Sequence, residues 1–375
     1  MKERFSQLKT KYQAYHHPRL HLWLGMDLLL LCAIMAARYH RDWMNWFTTR
    51  VTAPFRVFLG RISYCFPFSV MEALYVVAVL VVLVWLIWAV VSIRRAAGRR
   101  KAQSYLALLL AVCTGLSVYN GFWLLWGINF WADGFQERSG IYARPVAIEE
   151  LYNLTAYFTV GLMQTAEEVT SRDENGAFNV SWQEILDSSP GIYDAMEEEF
   201  PFLEFDDPGA KPMFFSRLMS RMDFTGFYCS YTGESNVNVD APTCLLPATV
   251  AHELAHQRGI ASEQECNFLG VMAAISSGDP NYRYSGWLSG FIYLGNALYA
   301  VAPDAYWALR NALPACVEVD LAENRAYWDQ FQHTHIQKVS NKFYDTVLKT
   351  YGDERGIRSY GMVVDLLVAY FIPEQ

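Results

Sequence analysis

The stretch Val250-Ala251-His252-Glu253-Leu254-Ala255-His256-Gln257 decides how the second half of this chain is read. Pro247 precedes it and Gly259 follows it, the order of a helix with a proline in its first turn and a glycine past its end. On that helix Val250 and Leu254 form an apolar stripe, while His252 and His256, also four apart, stack on a neighbouring face. Imidazoles so placed reach one metal ion. Glu253, turned by about 100°, lands beside the water that such an ion activates for attack on a carbonyl. The plain alternative is an amphipathic helix with two incidental histidines. Against it, the chain has only 8 histidines, and the glutamate stands at the catalytic offset.

A catalytic zinc takes three protein ligands and leaves a fourth position open. After Gly259 the sequence runs Ile260-Ala261-Ser262-Glu263-Gln264-Glu265-Cys266-Asn267. Ser262 followed three residues later by Glu265 is a capping-box pattern, so a second helix is expected to start there. Glu265 would then bond back to the backbone at Ser262, leaving Glu263 as the third ligand in preference to Glu265. Asn267, four residues after Glu263, could support it by hydrogen bonding. A metzincin pattern would place its next ligand at Ser262, a poor zinc ligand, which argues against that class. His333 or His335 could complete the site from farther along, although His335 shares a helical register with Phe331 and Val339 and suits a core or boundary position. Cys266 is a soft-ligand alternative whose helical setting favours packing.

Charge divides the chain. Residues 1–127 carry fifteen Lys+Arg and four Asp+Glu, or +11, and residues 128–375 carry fifteen against thirty-four, or −19, which together give the net −8. That asymmetry fits a basic membrane-proximal half and an acidic solvated half, not a nucleic-acid binder. No glycine-rich phosphate loop, basic-aromatic surface pattern, internal repeat or low-complexity tract is found in the sequence.

Within the first half, Val70–Ile93 is apolar except for Glu72, and Ser104–Ile128 carries no charge. Each is long enough to cross a hydrocarbon core of about 30 Å. Leu20–Ala37 contains His21 and Asp27 but has a leucine-rich centre. It lacks a small-residue cleavage site and follows a basic lead, so it reads as an uncleaved anchor and not a signal peptide. Asp27 is expected to pair with a neighbouring helix, or else to be a functional intramembrane carboxylate. Arg94, Arg95, Arg99, Arg100 and Lys101 crowd the link between spans two and three, and Lys2, Arg4, Lys9, Lys11 and Arg19 lie in the lead. Ten basic residues there against five arginines between spans one and two place the lead inside and the second half outside the cytoplasm.

In the second half, Val146–Thr170 shows helical periodicity through Ile148, Leu151, Leu154 and Phe158. The run Glu197-Glu198-Glu199 reads as a solvated helix face. Between Tyr228 and Asp240, Val237 and Val239 alternate with polar residues, which predicts a short half-exposed strand. Such a strand either offers its edge to an extended peptide or is a structural hairpin. Trp287–Ala302 is sixteen residues, short for a span, and is expected to be a core helix ended by Pro303. Asp320–Tyr351 reads as one long amphipathic helix stopped by Gly352. Of seven cysteines, Cys229 and Cys244 could pair in an oxidising compartment, with free thiols the default.

These residues resemble the bacterial family called domain of unknown function 3810 along nearly the whole chain. The resemblance is carried by the three-span start, Tyr231-Thr232-Gly233-Glu234-Ser235-Asn236-Val237-Asn238, the His252–Gln257 motif, Glu263–Phe268, Tyr284-Ser285-Gly286 and Ser359-Tyr360-Gly361. Cys266 stands where that family more usually has alanine. The family implies no activity. A more distant likeness is to membrane-embedded gluzincins, the prenyl-protein and heat-shock membrane proteases, whose HExxH helix is followed by Glu-x-x-Ala-Asp. Glu263-x-x-Cys266-Asn267 is similar to that motif after a much shorter loop, and the likeness implies Glu263 as ligand and Asn267 as its support.

The chain is therefore expected to be a mainly α membrane protein. Residues 1–127 would hold three transmembrane helices (about 20–37, 70–93 and 104–128), and residues 128–375 a mostly helical zincin-like domain with a short strand region. The expected function is a multi-pass cell-membrane zinc metallopeptidase of gluzincin type. His252, His256 and Glu263 would bind Zn2+, Glu253 would serve as general base and proton donor, and the oxyanion helper would be one of Tyr284, Tyr293 or Tyr360. Expected partners are the lipid bilayer and a peptide or protein substrate, not nucleic acid. The alternatives are a membrane sensor or assembly factor with a structural zinc, or a zinc hydrolase of a cell-wall component.

Overall fold

The computed structural model describes residues 15–206, 208–332, 334, 337, 338, 340, 342 and 360–373. It is mainly helical. Three helices are long and apolar enough to cross a membrane: α1 (Pro18–Ala37), α4 (Val70–Arg95) and α5 (Arg100–Leu125). Two shorter helices, α2 (Arg41–Phe47) and α3 (Ala53–Ser63), lie between α1 and α4, joined by a π-helical turn at Thr48–Thr52. The third span ends three residues before the expected Ile128, because the chain turns at Trp126 into a 3-10 turn, Gly127–Trp131, where Trp131 stacks on Trp123.

The carboxylate of Asp27 in α1 accepts from Ser117 Oγ at 2.7 Å and Asn120 Nδ2 at 3.2 Å, both in α5. The expected pairing between helices is what the fold uses. A buried carboxylate with donors already in place avoids the cost of an orphaned charge.

Beyond α5 the chain builds a helical core around a three-stranded sheet. Its other labelled helices are α6 (Phe135–Ser139), α7 (Ile148–Ala166), α8 (Leu246–Gln257), α9 (Glu263–Ser276), α10 (Pro280–Val301), α11 (Ala315–Asp329) and α12 (Tyr360–Phe371). Leu151, Leu154 and Phe158 of α7 are buried as their spacing predicts, whereas Ile148 at the first turn is exposed. They meet α10, where Leu288, Phe291, Leu294 and Leu298 are buried at one-turn intervals. Each such side chain contributes about 1.5–3 kcal/mol of burial. The expected core helix is thus found, and Asp279 caps it by accepting from Asn281 N and Tyr282 N.

The sheet has strand order β1-β3-β2, with β1 (Ala210–Pro212) parallel and β2 (Gly226–Cys229) antiparallel to β3 (Glu234–Val237). Two strands therefore occupy the window where one half-exposed strand was expected. The polar positions of β3 misled, because Ser235 and Asn236 are fully buried and hydrogen-bonded. β3 is the central strand, and β2 forms the edge beside it.

Other expectations need correction. The long helix from Asp320 is interrupted: α11 stops at Asp329, and a turn at 331–332 buries Phe331. The part from 343 to Tyr351, together with Gly352, lies outside the described residues. Cys229 and Cys244 are both free, which is the default reading and not the possible pair, since Cys229 packs on Met71 and Met213 while Cys244 faces the Asp320 carbonyl. Glu197 is not merely solvated, because it pairs with Arg258 at 2.7 Å, directly after α8.

Glu234 joins the sheet to the membrane. Its fully buried carboxylate accepts from Val70 N at 3.1 Å and Met71 N at 2.8 Å, at the first turn of α4, where the helix dipole favours an anion. Lys211 Nζ binds it at 2.6 Å and also donates to the Ser63 and Phe68 carbonyls. Lys211→Met would strand a buried anion. It is expected to destabilise the chain by about 3–5 kcal/mol, read as a lowered unfolding midpoint in detergent. An unchanged midpoint would mean that the α4 amides alone suffice.

Candidate metal centre

Four side chains fix the helix that carries the two histidines. Ser285 Oγ of α10 accepts from Ala248 N, an unpaired first-turn amide, at 3.1 Å. Tyr193 donates to the Ala251 carbonyl at 2.8 Å, Ser235 Oγ to the Glu253 carbonyl at 2.9 Å, and Arg258 Nη1 to the Leu254 carbonyl at 3.2 Å. Val250 and Leu254 are fully buried, as their stripe predicts. Gly259 ends the segment with φ +93°, a conformation that side chains disfavour, and turns the chain back toward α9.

Ser262 caps α9 by accepting from Glu265 N, as expected. The two helices converge closely: a side chain at Gly270 would meet the His252 backbone nitrogen at 3.0 Å. This crossing brings Glu263 against both histidines. Its Oε2 lies 3.3 Å from His252 Nε2 and its Oε1 lies 3.5 Å from His256 Nε2. One ligand atom from each of the three lies within 4.8 Å of the others, a spacing that can hold a metal ion. All three residues singled out for metal binding are thus brought together.

The far nitrogen of His256 is committed. Nδ1 lies 2.8 Å from the Ile260 carbonyl, which can only accept, so Nδ1 carries a hydrogen and Nε2 is the nitrogen that faces the centre. Cys266 Sγ sits 3.3 Å from this same Nδ1, on the side away from Glu263's contact. Burial pushes its thiol up to about 12, so it is neutral packing beside the ligand. Burial opposes the charge on Glu263 as well, yet His256 and His252 together hold its carboxyl well below the usual range.

Glu265 is excluded from the centre for a reason other than the expected one. It does not bond back to Ser262. Its carboxylate instead accepts from Phe135 N at 2.8 Å and Gln136 N at 3.2 Å, capping α6 about 130 residues earlier. Asn267 makes no hydrogen bond to Glu263, because Glu263 leans across to α8 and not down its own helix. His333 and His335 lie outside the described residues.

Glu253 is 4 % exposed, and its Oε2 has no hydrogen-bond partner. Burial pushes its carboxyl up to about 7, against the pull of His252 and His256. A buried carboxylate left without a donor, beside a two-histidine one-glutamate cluster, is poised to take and return a proton. Gly226 of β2 makes room for it: a side chain there would meet Glu253 Oε1 at 2.4 Å and Cδ at 2.7 Å.

Sequence reasoning missed the neighbours that only folding supplies. Trp126, at the end of α5, sets its ring 5.7 Å from that of His256 and 5.0 Å from that of Tyr228. Arg56 of α3, 3 % exposed, stands over both Trp126 and Tyr228, with Nε and Nη1 lacking hydrogen-bond partners. Gln257 Nε2 donates to Tyr64, whose hydroxyl donates to the Gly209 carbonyl. No motif marks these residues, and Arg56 entered the sequence reading only as one of five arginines between spans. Of the candidate oxyanion helpers, Tyr284 is fully buried and its hydroxyl donates to Asp320, so it is committed elsewhere. Tyr293 is half-buried in α10, and the side chain of Tyr360 is outside the described residues.

A family model described as "Protein of unknown function (DUF3810)" matches residues 47–368. The chain belongs to that family. No curated protein and no solved structure matches it. The DUF3810 match begins after α1 and takes in α4, α5, the sheet and every residue of the candidate metal site. In this DUF3810 chain Gly226→Ala is expected to displace Glu253 while sparing the histidines. Any hydrolytic activity should fall at least about 100-fold, the scale of a mispositioned catalytic group, with metal content unchanged. Full activity with alanine at 226 would show that Glu253 need not occupy its observed position.

Proposed function

We propose that this protein is an integral membrane zinc metallopeptidase of gluzincin type, with His252, His256 and Glu263 holding the ion. The observation that carries the reading is the orphaned Glu253 carboxylate beside a two-histidine one-glutamate donor set. The donors fit zinc: neutral imidazole nitrogens and one carboxylate match its preferred ligands, and three leave a position open. Bound there, zinc would supply Lewis-acid polarisation of the scissile carbonyl and acidify the attacking water. Glu253 would take a proton from the attacking water and hand it to the departing amine. Burial raises its proton affinity above the usual carboxylate range, which favours a group that both takes and returns a proton.

The sheet supports a peptide substrate. β2 is an edge strand whose Gly226 touches Glu253, so an extended chain pairing with that edge would lie alongside the general base. Sidedness follows from charge: the five basic residues from Arg94 to Lys101 lie at the end of α4 opposite the metal-binding group. The positive-inside rule then puts the metal centre outside the cytoplasm.

The test is elemental analysis of the purified full chain in detergent, followed by cleavage of a mixed peptide library with and without a chelator. One zinc per chain and chelator-sensitive cleavage are expected. Zinc without any cleavage would favour a structural site, and a folded chain that takes up no zinc would overturn the reading.

A further inference from the structure

Two helices outside the candidate spans are inside out. In α3 the buried face carries Arg56, Gly60 and Ser63, while Phe55, Phe58 and Ile62 on the opposite side are 49 %, 56 % and 48 % exposed. The short helix Ser216–Arg221 repeats the inversion: Ser216 and Ser220 are buried, and Leu218, with Phe214 and Phe215 just before it, is exposed. Phe214 reaches 87 %. A surface helix facing water has the reverse pattern. Apolar groups turned outward while polar groups turn inward is the pattern of a surface whose solvent is not water.

The position of these faces says which solvent. Glu72, in the first turn of α4, accepts from Phe214 N and Phe215 N, both at 2.8 Å, which fixes the pair beside the start of that span. α3 is fixed at the same level, because Lys211 binds both the Ser63 carbonyl at its end and Glu234, the acceptor for the α4 amides. At 26 residues α4 is about 39 Å long. That exceeds the roughly 30 Å hydrocarbon core and falls short of the 40–45 Å full bilayer. Its first turn therefore lies within the headgroup layer. The hairpin between β2 and β3 also rests on α5, with Tyr231 donating to the Val118 carbonyl at 2.5 Å.

We propose that this side of the protein is seated in the bilayer surface, with Leu218 of the short helix, Phe214 and Phe215 just before it, and Phe55, Phe58 and Ile62 of α3 embedded among lipid headgroups. The seating accounts for apolar side chains turned outward on both helices, at a depth where aromatic rings are favoured. It also sets the height of the metal centre, since Trp126, the residue that ends α5, packs on His256. If the peptidase reading above holds, the centre meets substrates at the headgroup layer, where juxtamembrane segments of other membrane proteins lie. The seating itself does not depend on that reading.

The experiment is photocrosslinking of the full chain in phosphatidylethanolamine–phosphatidylglycerol vesicles, with p-benzoylphenylalanine in place of Phe214. The same probe at Val81, on the lipid-facing middle of α4, serves as the positive control. Phospholipid adducts at Phe214 in a yield comparable with Val81 are expected by mass spectrometry. Absence of lipid adducts at Phe214 while Val81 labels lipid would overturn the seating, as would crosslinking of Phe214 mainly to a second copy of the chain. The readout needs neither metal nor activity, so it can fail independently of the peptidase proposal.

Discussion

Glu263→Ala is expected to remove zinc from the chain while leaving it folded. Glu263 is the sole carboxylate facing both Nε2 atoms among the described residues, at 3.3 and 3.5 Å. Outer-shell partners alone command about 10–100-fold in metal affinity, so loss of a direct ligand should cost more than about 100-fold. The fold should survive because the N-cap of α9 is Ser262 and Glu265 is engaged with α6, neither of which uses Glu263. Elemental analysis together with an unfolding curve reads both halves of the expectation. Stoichiometric zinc in the alanine variant would transfer the third-ligand role to another residue.

Glu253→Gln should do the opposite, keeping the metal and losing the chemistry. The glutamine is isosteric, and a neutral group suits a site where burial already lifts the carboxyl to about 7. Zinc content and stability should match the parent. The rate of peptide cleavage should fall by about 10²–10⁴, the usual yield of general acid–base catalysis. A variant that binds zinc and cleaves at the parental rate would remove Glu253 from the mechanism.

Much of this was legible in the sequence because the signals were local. A helix repeats every 3.6 residues, so the alignment of His252 with His256, the cap at Ser262 and the lengths of α1, α4 and α5 follow from short windows of sequence. The choice of Glu263 over Glu265 was legible too, although its stated reason was wrong. A capping-box pattern shows that Glu265 has work elsewhere, but not that its partners are the amides of Phe135 and Gln136. The buried, polar β3 was misread for a related reason: alternation signals a strand with one wet face, and β3 has none.

By itself the sequence determined the three apolar helices, the charge division and the two stacked histidines of a candidate metal site, because each depends on neighbours within a few turns. Tertiary structure alone decided that Glu265 is drawn away to the amides of Phe135 and Gln136, how Gly226 cradles Glu253, and how Glu234 and Trp126 join the centre to the long apolar helices. Those contacts join residues far apart in the chain, whose meeting depends on how the helices cross and not on any local pattern.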